Sequence, residues 1–323
     1  MLSILTVAVA LYSLTVGEKN ISLSEVVKML LGGGDSDPVT AMLLRQVRLP
    51  RVVLGLAVGG SLSLAGVILQ GVYHNPLVEP FTLGISGGAS LGVAVSIVLG
   101  LPAIIGWYVL PLAGFIGALV LIFAIYALGT GRGQIDVTKM LLTGVMVSFV
   151  ASSAMMLMMA LGTKDELHSI VFWTMGSLDE PDTALVWLTF IVGVVGLALS
   201  YFFVRPLNAM RLGGDKAMNL GINVNRTVKL LFFMASLLAG VCVAVAGIIG
   251  FVGLIVPHLL RMLLGADYRF LLISSFLGGG AFLVLSDVAA RTLMSPAELP
   301  IGVITGVIGG SIFIIMMRNR RKI

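Results

Sequence analysis

"VRLPRVVLGLAVGGSLSLAG", residues 47–66, sets Arg48 and Arg51 around Pro50 and then runs on without a charge. The apolar run continues for about twenty residues, the length that carries a helix across roughly 30 Å of hydrocarbon. Similar runs lie at 1–16, 52–72, 83–101, 104–128, 140–161, 184–204, 230–264, 270–290 and 299–317. The 323 residues are 58% hydrophobic and 11% charged, with mean hydropathy +1.10. Soluble domains carry about 25% charged residues, so no soluble fold of this length could cover its apolar surface. β-Barrel strands would be short and alternating. The fold class predicted is all-α: a polytopic membrane protein.

The run 230–264 is too long for one span, and Gly247, Gly250, Gly253 and Pro257 interrupt it. It reads as a full helix followed by a short one, which brings the expected crossings to ten. Breaks at membrane depth are tolerated only where protein or a cavity covers the freed backbone. Run 1–16 has no basic start or cleavage site and is expected to be a retained span, not a signal peptide. The single cysteine, Cys242, excludes an internal disulfide framework and reads as a packing residue.

The tail supplies Arg318, Arg320, Arg321 and Lys322. If it is cytoplasmic, ten spans put both termini inside, with 13 of the 20 Lys and Arg on that side. Arg48, Arg51 and Arg291 then sit on the outer face, against the trend. Within 17–51, "ISLSEVVKMLLGG" reads as a short amphipathic helix capped by Ser24. Segment 165–180, with Phe172 and Trp173, suits a membrane interface. "AGVILQGVYHNP" (65–76) and "AGIIGFVGLIVP" (246–257) suggest a weak inverted repeat.

Few residues carry chemistry. Glycines at 84, 88, 92 and at 302, 306, 310 suit close helix packing, or a path for a bulky substrate. Gly129, Gly131 and Gly133 lack the Gly-Lys-Ser/Thr of a phosphate loop, so the chain itself is not expected to hydrolyse ATP. His74, His168 and His258 have no metal-ligand spacing, and His258 reads as a buried structural group. Met155, Met156, Met158 and Met159 form a soft cluster suited to packing or to lining a pore. No nucleophilic triad is present. Asp287 and Arg291, one turn apart, are the charges nearest the membrane interior and can pair with each other. This scarcity argues against ion-coupled transport. Residues 205–229 form the longest inner loop, where Gly213-Gly214 makes a turn and "DKAMNLG" a short helix. It is either a connector or a grip for a soluble subunit.

"RLPR", "AGVILQGVYHNPLVEPFTLGISGGASLG", "LLTGV", "FWTMGSL", "LNAMRLGGDKAMNLGINV", "AGIIGFVGLIVPHLLR" and "AELPIGVITGVIGG" occur in the order seen in one family. From about residue 40 onward the chain resembles the permease subunit of the iron-chelate and vitamin B12 ABC importers. The resemblance implies a type II importer permease fold, with ten helices per subunit in one domain, 1–323. It implies a homodimer in the inner membrane, two separate ATPase subunits and an extracytoplasmic binding protein. No enzymatic activity, cofactor, metal site or nucleic-acid partner is implied. Coupling helices at about 207–221 would include Asn208, Leu212, Gly213, Asp215, Ala217, Leu220 and Gly221. Asn75, Leu77, Asp136, Val137 and Thr138 match the cytoplasmic gates, and the 165–180 helix would line the outer mouth. Arg48, Arg51 and Arg291 match arginines that pair with acids of the binding protein. The cargo expected is an iron complex, a siderophore or haem. Cobalamin is the alternative, and an ion-coupled carrier a more distant one. Asp136-Val137 replaces the hydroxyl-rich turn of the B12 permeases.

Overall fold

A computed structural model describes residues 1–17, 19–31, 37–131, 134–180 and 182–319. Arg320, Arg321 and Lys322 of the tail lie outside them, as do Gly133 and Arg132, which is one of the 13 cations counted as inner. The opening helices are α1 (Leu2–Thr15), α2 (Leu23–Leu30) and α3 (Pro38–Met42). A π-helical turn, Leu43–Arg48, leads into α4 (Leu49–Val72). The cap of α2 is Ser22, not Ser24: its hydroxyl accepts from Glu25 N. Ser24 comes one residue after the helix has begun, too late to reach its first free N–H groups.

A 3₁₀ turn, Pro80–Leu83, precedes α5 (Ile85–Val98), α6 (Leu101–Ile105) and α7 (Val109–Gly129). Two-residue strands, Thr130–Gly131 and Gln134–Ile135, pair antiparallel before α8 (Val137–Leu161) and α9 (Lys164–Thr174). Then come α10 (Thr183–Tyr201), α11 (Val204–Met210), α12 (Gly214–Asn219) and α13 (Val224–Ala246). The chain closes with α14 (Val252–Leu264), α15 (Tyr268–Thr292) and α16 (Ile301–Asn319).

Among the described residues, six helices are long and apolar enough to cross a membrane: α4 with its lead-in, α7, α8, α10, α13 and α15. Shorter apolar helices, α1, α5, α14 and α16, are consistent with the ten crossings expected. The central element is α4, packed on α15, α13, α10 and α14. Apolar side chains gain little from leaving lipid for protein, so close backbone approach drives such contacts. A methyl on Gly59 would run into Gly279 O, and one on Gly66 into Gly253 O. Gly88 and Gly92 bring α5 onto α7 in the same way.

The long run divides as expected. Gly247, at φ +70°, ends α13, and Phe251, at φ +69°, opens α14. The freed Phe251 N–H donates to Glu79 Oε2 at 3.2 Å. Gln70 Nε2 donates to the carbonyls of Gly253 and Leu254 at 3.3 Å each. Protein thus covers the break. The inverted repeat is not conformational: Ala65-Gly66 lies within α4, whereas Ala246-Gly247 is where α13 stops. The two segments do touch, where Gly66 lies against the backbone of Gly253. Cys242 and His258 are buried, as expected.

Candidate functional site

Functional candidates gather at the two ends of the bundle. At one end α4, α15 and the α1–α2 connection meet in a charge network. Asp287, 2% exposed, accepts from Arg51 Nε and from Arg291 Nε, both at 2.9 Å. Arg51 Nη2 also reaches Glu298 on the rim at 2.9 Å. Arg291 donates to Ser13 Oγ at 3.0 Å and Val16 O at 3.2 Å. Arg48, 5% exposed, donates to Leu14 O at 2.8 Å and Lys19 O at 2.5 Å. A Cβ on Gly17 would come within 2.6 Å of that guanidinium, so a larger residue there would have to displace the arginine tip. The sequence pairing of Asp287 with Arg291 holds, and Arg51 joins it from another helix.

The three arginines, Lys19 and Glu298 line a cavity of about 240 Å³. Four cations face it, and the carboxylates of the network are Asp287 and Glu298. Its surplus is positive, and what it can accept chemically is an anionic group. Below the rim, Lys19 and Asp37 pair at 3.1 Å. Hydrogen bonds from Lys19 and Thr40 hold the Asp37 carboxyl below its usual range.

At the other end α11 and α12 form an elbow. Gly213, at φ +106°, and Gly221, at φ +80°, supply its turns, a conformation that costs other residues strain. Ala217 is buried, whereas Leu212, Met218 and Leu220 are exposed. Asp215 lies exposed in the first turn of α12. Asn208 points inward: Nδ2 donates to Asp267 Oδ1 at 2.8 Å, and Oδ1 accepts from Tyr268 N at 3.2 Å. It staples the elbow to the cap of α15. Arg211 Nη1 adds a bond to Ala266 O at 2.7 Å. The Arg269 N–H and the Asn208 amide hold the Asp267 carboxyl below its usual range.

The expected gate residues lie in turns near this end. Asn75 Oδ1 accepts from Leu77 N at 2.9 Å, and Leu77 is exposed. His74 Nε2 and Met210 O are 2.8 Å apart, so the 73–79 turn touches the elbow. Asp136 caps α8 through Lys139 N at 3.0 Å; Val137 is half-buried and Thr138 exposed. No hydrogen bond among the described residues joins Asn75 or Leu77 to Asp136–Thr138.

A capping box starts α9: Thr163 Oγ1 accepts from Glu166 N, and Glu166 Oε2 from Thr163 N. Its end is tied to α16 by Gly302 N donating to Met175 O at 3.0 Å. Met155, Met158 and Met159 pack beneath it against Ile97 and Ile170, while Met156 is exposed. Sequence reading missed Glu79, which serves the Phe251 N–H. "VEP" beside a helix start was its only local signal. No cluster of His, Cys, Asp or Glu suited to a metal occurs among the described residues.

The model of the FecCD transport family matches residues 5–319. The hemin transport system permease protein HmuU of Yersinia pestis is 35% identical over 324 residues, covering 99% of this chain and 95% of its own. The cobalamin import system permease protein BtuC of Halobacterium salinarum is 39% identical, covering 88% of this chain and 75% of its own. An inward-facing structure of a putative metal-chelate type ABC transporter superposes with TM-score 0.87 at 31% identity, covering 98% of this chain and 97% of that one. On fold, sequence and coverage together, this chain belongs to the FecCD transport family and is an integral-membrane permease of an ABC importer.

Proposed function

We propose that this permease carries an iron complex, a siderophore or haem, across the cell's inner membrane. The driving force is ATP hydrolysis on two separate subunits that grip the elbow at 207–221 from the cytoplasm. The observation that carries this reading is the elbow itself. It exposes Leu212, Met218 and Leu220 while Asn208 and Arg211 tie it to the start of α15. An exposed apolar face on a rigidly attached element can receive a push and pass it on. Gly213 and Gly221 shape the elbow, Ala217 anchors it, and Asp215 marks its polar edge.

In this reading the whole chain is one permease domain and two copies enclose the path. Only 11% of the α8 window is buried within a single chain, against 89% for α4, so α8 faces the partner copy and lipid. Asn75 and Leu77 with Asp136, Val137 and Thr138 close the path on the cytoplasmic side, where both termini lie. The Arg48, Arg51 and Arg291 cavity accepts carboxylates of the binding protein on the outer side. The permease performs no covalent chemistry and needs no cofactor.

Cobalamin import is the second reading, favoured by the cobalamin permease among the relatives. Uptake into liposomes decides between them. The permease and its cognate ATPase are reconstituted, and the cognate binding protein is offered with ferric siderophores, haem or cobalamin. ATP-dependent uptake of an iron complex is expected. Uptake of cobalamin alone would replace the cargo, and ATP-independent uptake would remove the mechanism.

A further inference from the structure

The segment 73–79, between α4 and the 3₁₀ turn, holds two of the expected gate residues, Asn75 and Leu77, and it is braced from inside. Asn75 Oδ1 accepts from Leu77 N at 2.9 Å, and Asn75 O accepts from Val78 N at 3.3 Å. Thr82 Oγ1 donates to Glu79 O at 2.7 Å, and Thr82 N donates to the same oxygen at 3.1 Å. Pro76 and Pro80 each fix a backbone angle. Val78 is buried, whereas Leu77 is exposed. A segment stiffened in this way shifts as one body when its ends are moved.

Each end is fastened by one side chain to an element far away in sequence. At the first end, His74 Nε2 lies 2.8 Å from the carbonyl of Met210, the last residue of α11. A carbonyl only accepts, so Nε2 carries the proton and donates. His74 sits at φ +50°, a left-handed conformation that strains a residue other than glycine. Such strain persists where the surroundings over-determine it, and the bond to the elbow is one such restraint. At the second end, Glu79 Oε2 accepts from Phe251 N at 3.2 Å. Phe251 is the N-cap of α14, so the carboxylate sits at the positive end of that helix. We propose that His74 and Glu79 are positioning residues for transport. His74 joins the segment to the elbow, and Glu79 joins it to the start of α14. A displacement of the elbow is thereby delivered to Asn75 and Leu77 instead of being lost in a slack loop. This holds within the proposed function, in which the elbow takes the push and Asn75 and Leu77 help to close the path.

The test uses the full chain with its cognate ATPase in lipid nanodiscs. Leu77→Cys, with Cys242→Ala as background, is labelled by a maleimide in the presence and absence of ATP. With both anchors intact, ATP should change the labelling rate. His74→Ala and Glu79→Ala should each cut that change by about two- to tenfold, the weight of one hydrogen bond. Glutamine should restore it at either position: His74→Gln keeps an N–H donor, and Glu79→Gln keeps an oxygen for the Phe251 N–H. The thermal midpoint of each variant is read alongside. His74→Ala alters an exposed residue, so it decides the matter if Glu79→Ala does not fold. A response of full size in the folded alanine variants, or equal losses in the alanine and glutamine variants, would overturn the proposal. Indifference of Leu77→Cys to ATP with both anchors in place would overturn the gate reading, and this proposal with it.

Discussion

Asp287 ties two helices together through a single buried carboxylate. Arg51 and Arg291 both direct a guanidinium nitrogen at it from 2.9 Å, and all three groups are largely shielded. Breaking such a pair leaves buried charge unmatched, at a cost of about 3–5 kcal/mol. Asp287→Asn should therefore lower the thermal midpoint of the detergent-purified protein markedly. Glu298→Gln removes a partner whose side chain is half exposed, and exposed pairs contribute about 1 kcal/mol or less. Equal losses in the two variants would show that the network does not bind the helices. Docking of the binding protein is a separate matter. Charge reversal at Arg48 and Arg51 should abolish the ATPase stimulation given by the binding protein while the chain still inserts. In the unaltered protein, stimulation should weaken with salt, because pairing across a docking face is screened within about 10 Å at 0.1 M. Stimulation indifferent to both changes would leave these arginines as internal braces only.

Among the elements, what lies against each glycine separates close packing from open space. Gly66 lies against the backbone of Gly253 at the break before α14, and a methyl there has nowhere to go. Gly88 and Gly92, from one series spaced by four, pack against the backbone of α7, whereas Gly306, from the other, has nothing within 4 Å of where its Cβ would be. Gly66→Val should sharply reduce the yield of folded protein, whereas Gly306→Ala should leave it unchanged. Size-exclusion profiles of the two variants settle the comparison, and two equal profiles would refute it. The sequence shows both glycine series alike, because a spacing of four gives the face of a helix and not what covers it. The same limit hid Glu79, whose partner, the Phe251 N–H, lies 172 residues away.

For the molecule as a whole, the proposed function has the elbow facing the ATPase. Single cysteines placed at Met218 or Leu220, with Cys242→Ala as background, should be labelled by impermeant reagents only from the cytoplasmic side. Labelling from outside would invert the topology and dismiss the coupling reading. Co-purification of an ATPase subunit, lost when Leu212 and Leu220 are both changed to Asp, would add the contact. The α4–α15 pair then spans the whole distance between the two candidate surfaces. One end carries Arg51 and Asp287, and the other meets Asn208 and His74.

The sequence by itself determined that this chain is a membrane-embedded helical bundle, because length and hydropathy alone decide which segments can leave water. It also placed the broken run at 230–264 and the two turns of the elbow, where glycine has a local reason to occur. Only the tertiary structure decided that Arg51 and Arg291 share one carboxylate, that Asn208 points into the protein, and that His74 and Glu79 fasten one segment to two distant elements. Those facts depend on which helices touch. In a bilayer that choice rests on close backbone approach and on matched polar groups distant in sequence, and neither leaves a local periodic signal.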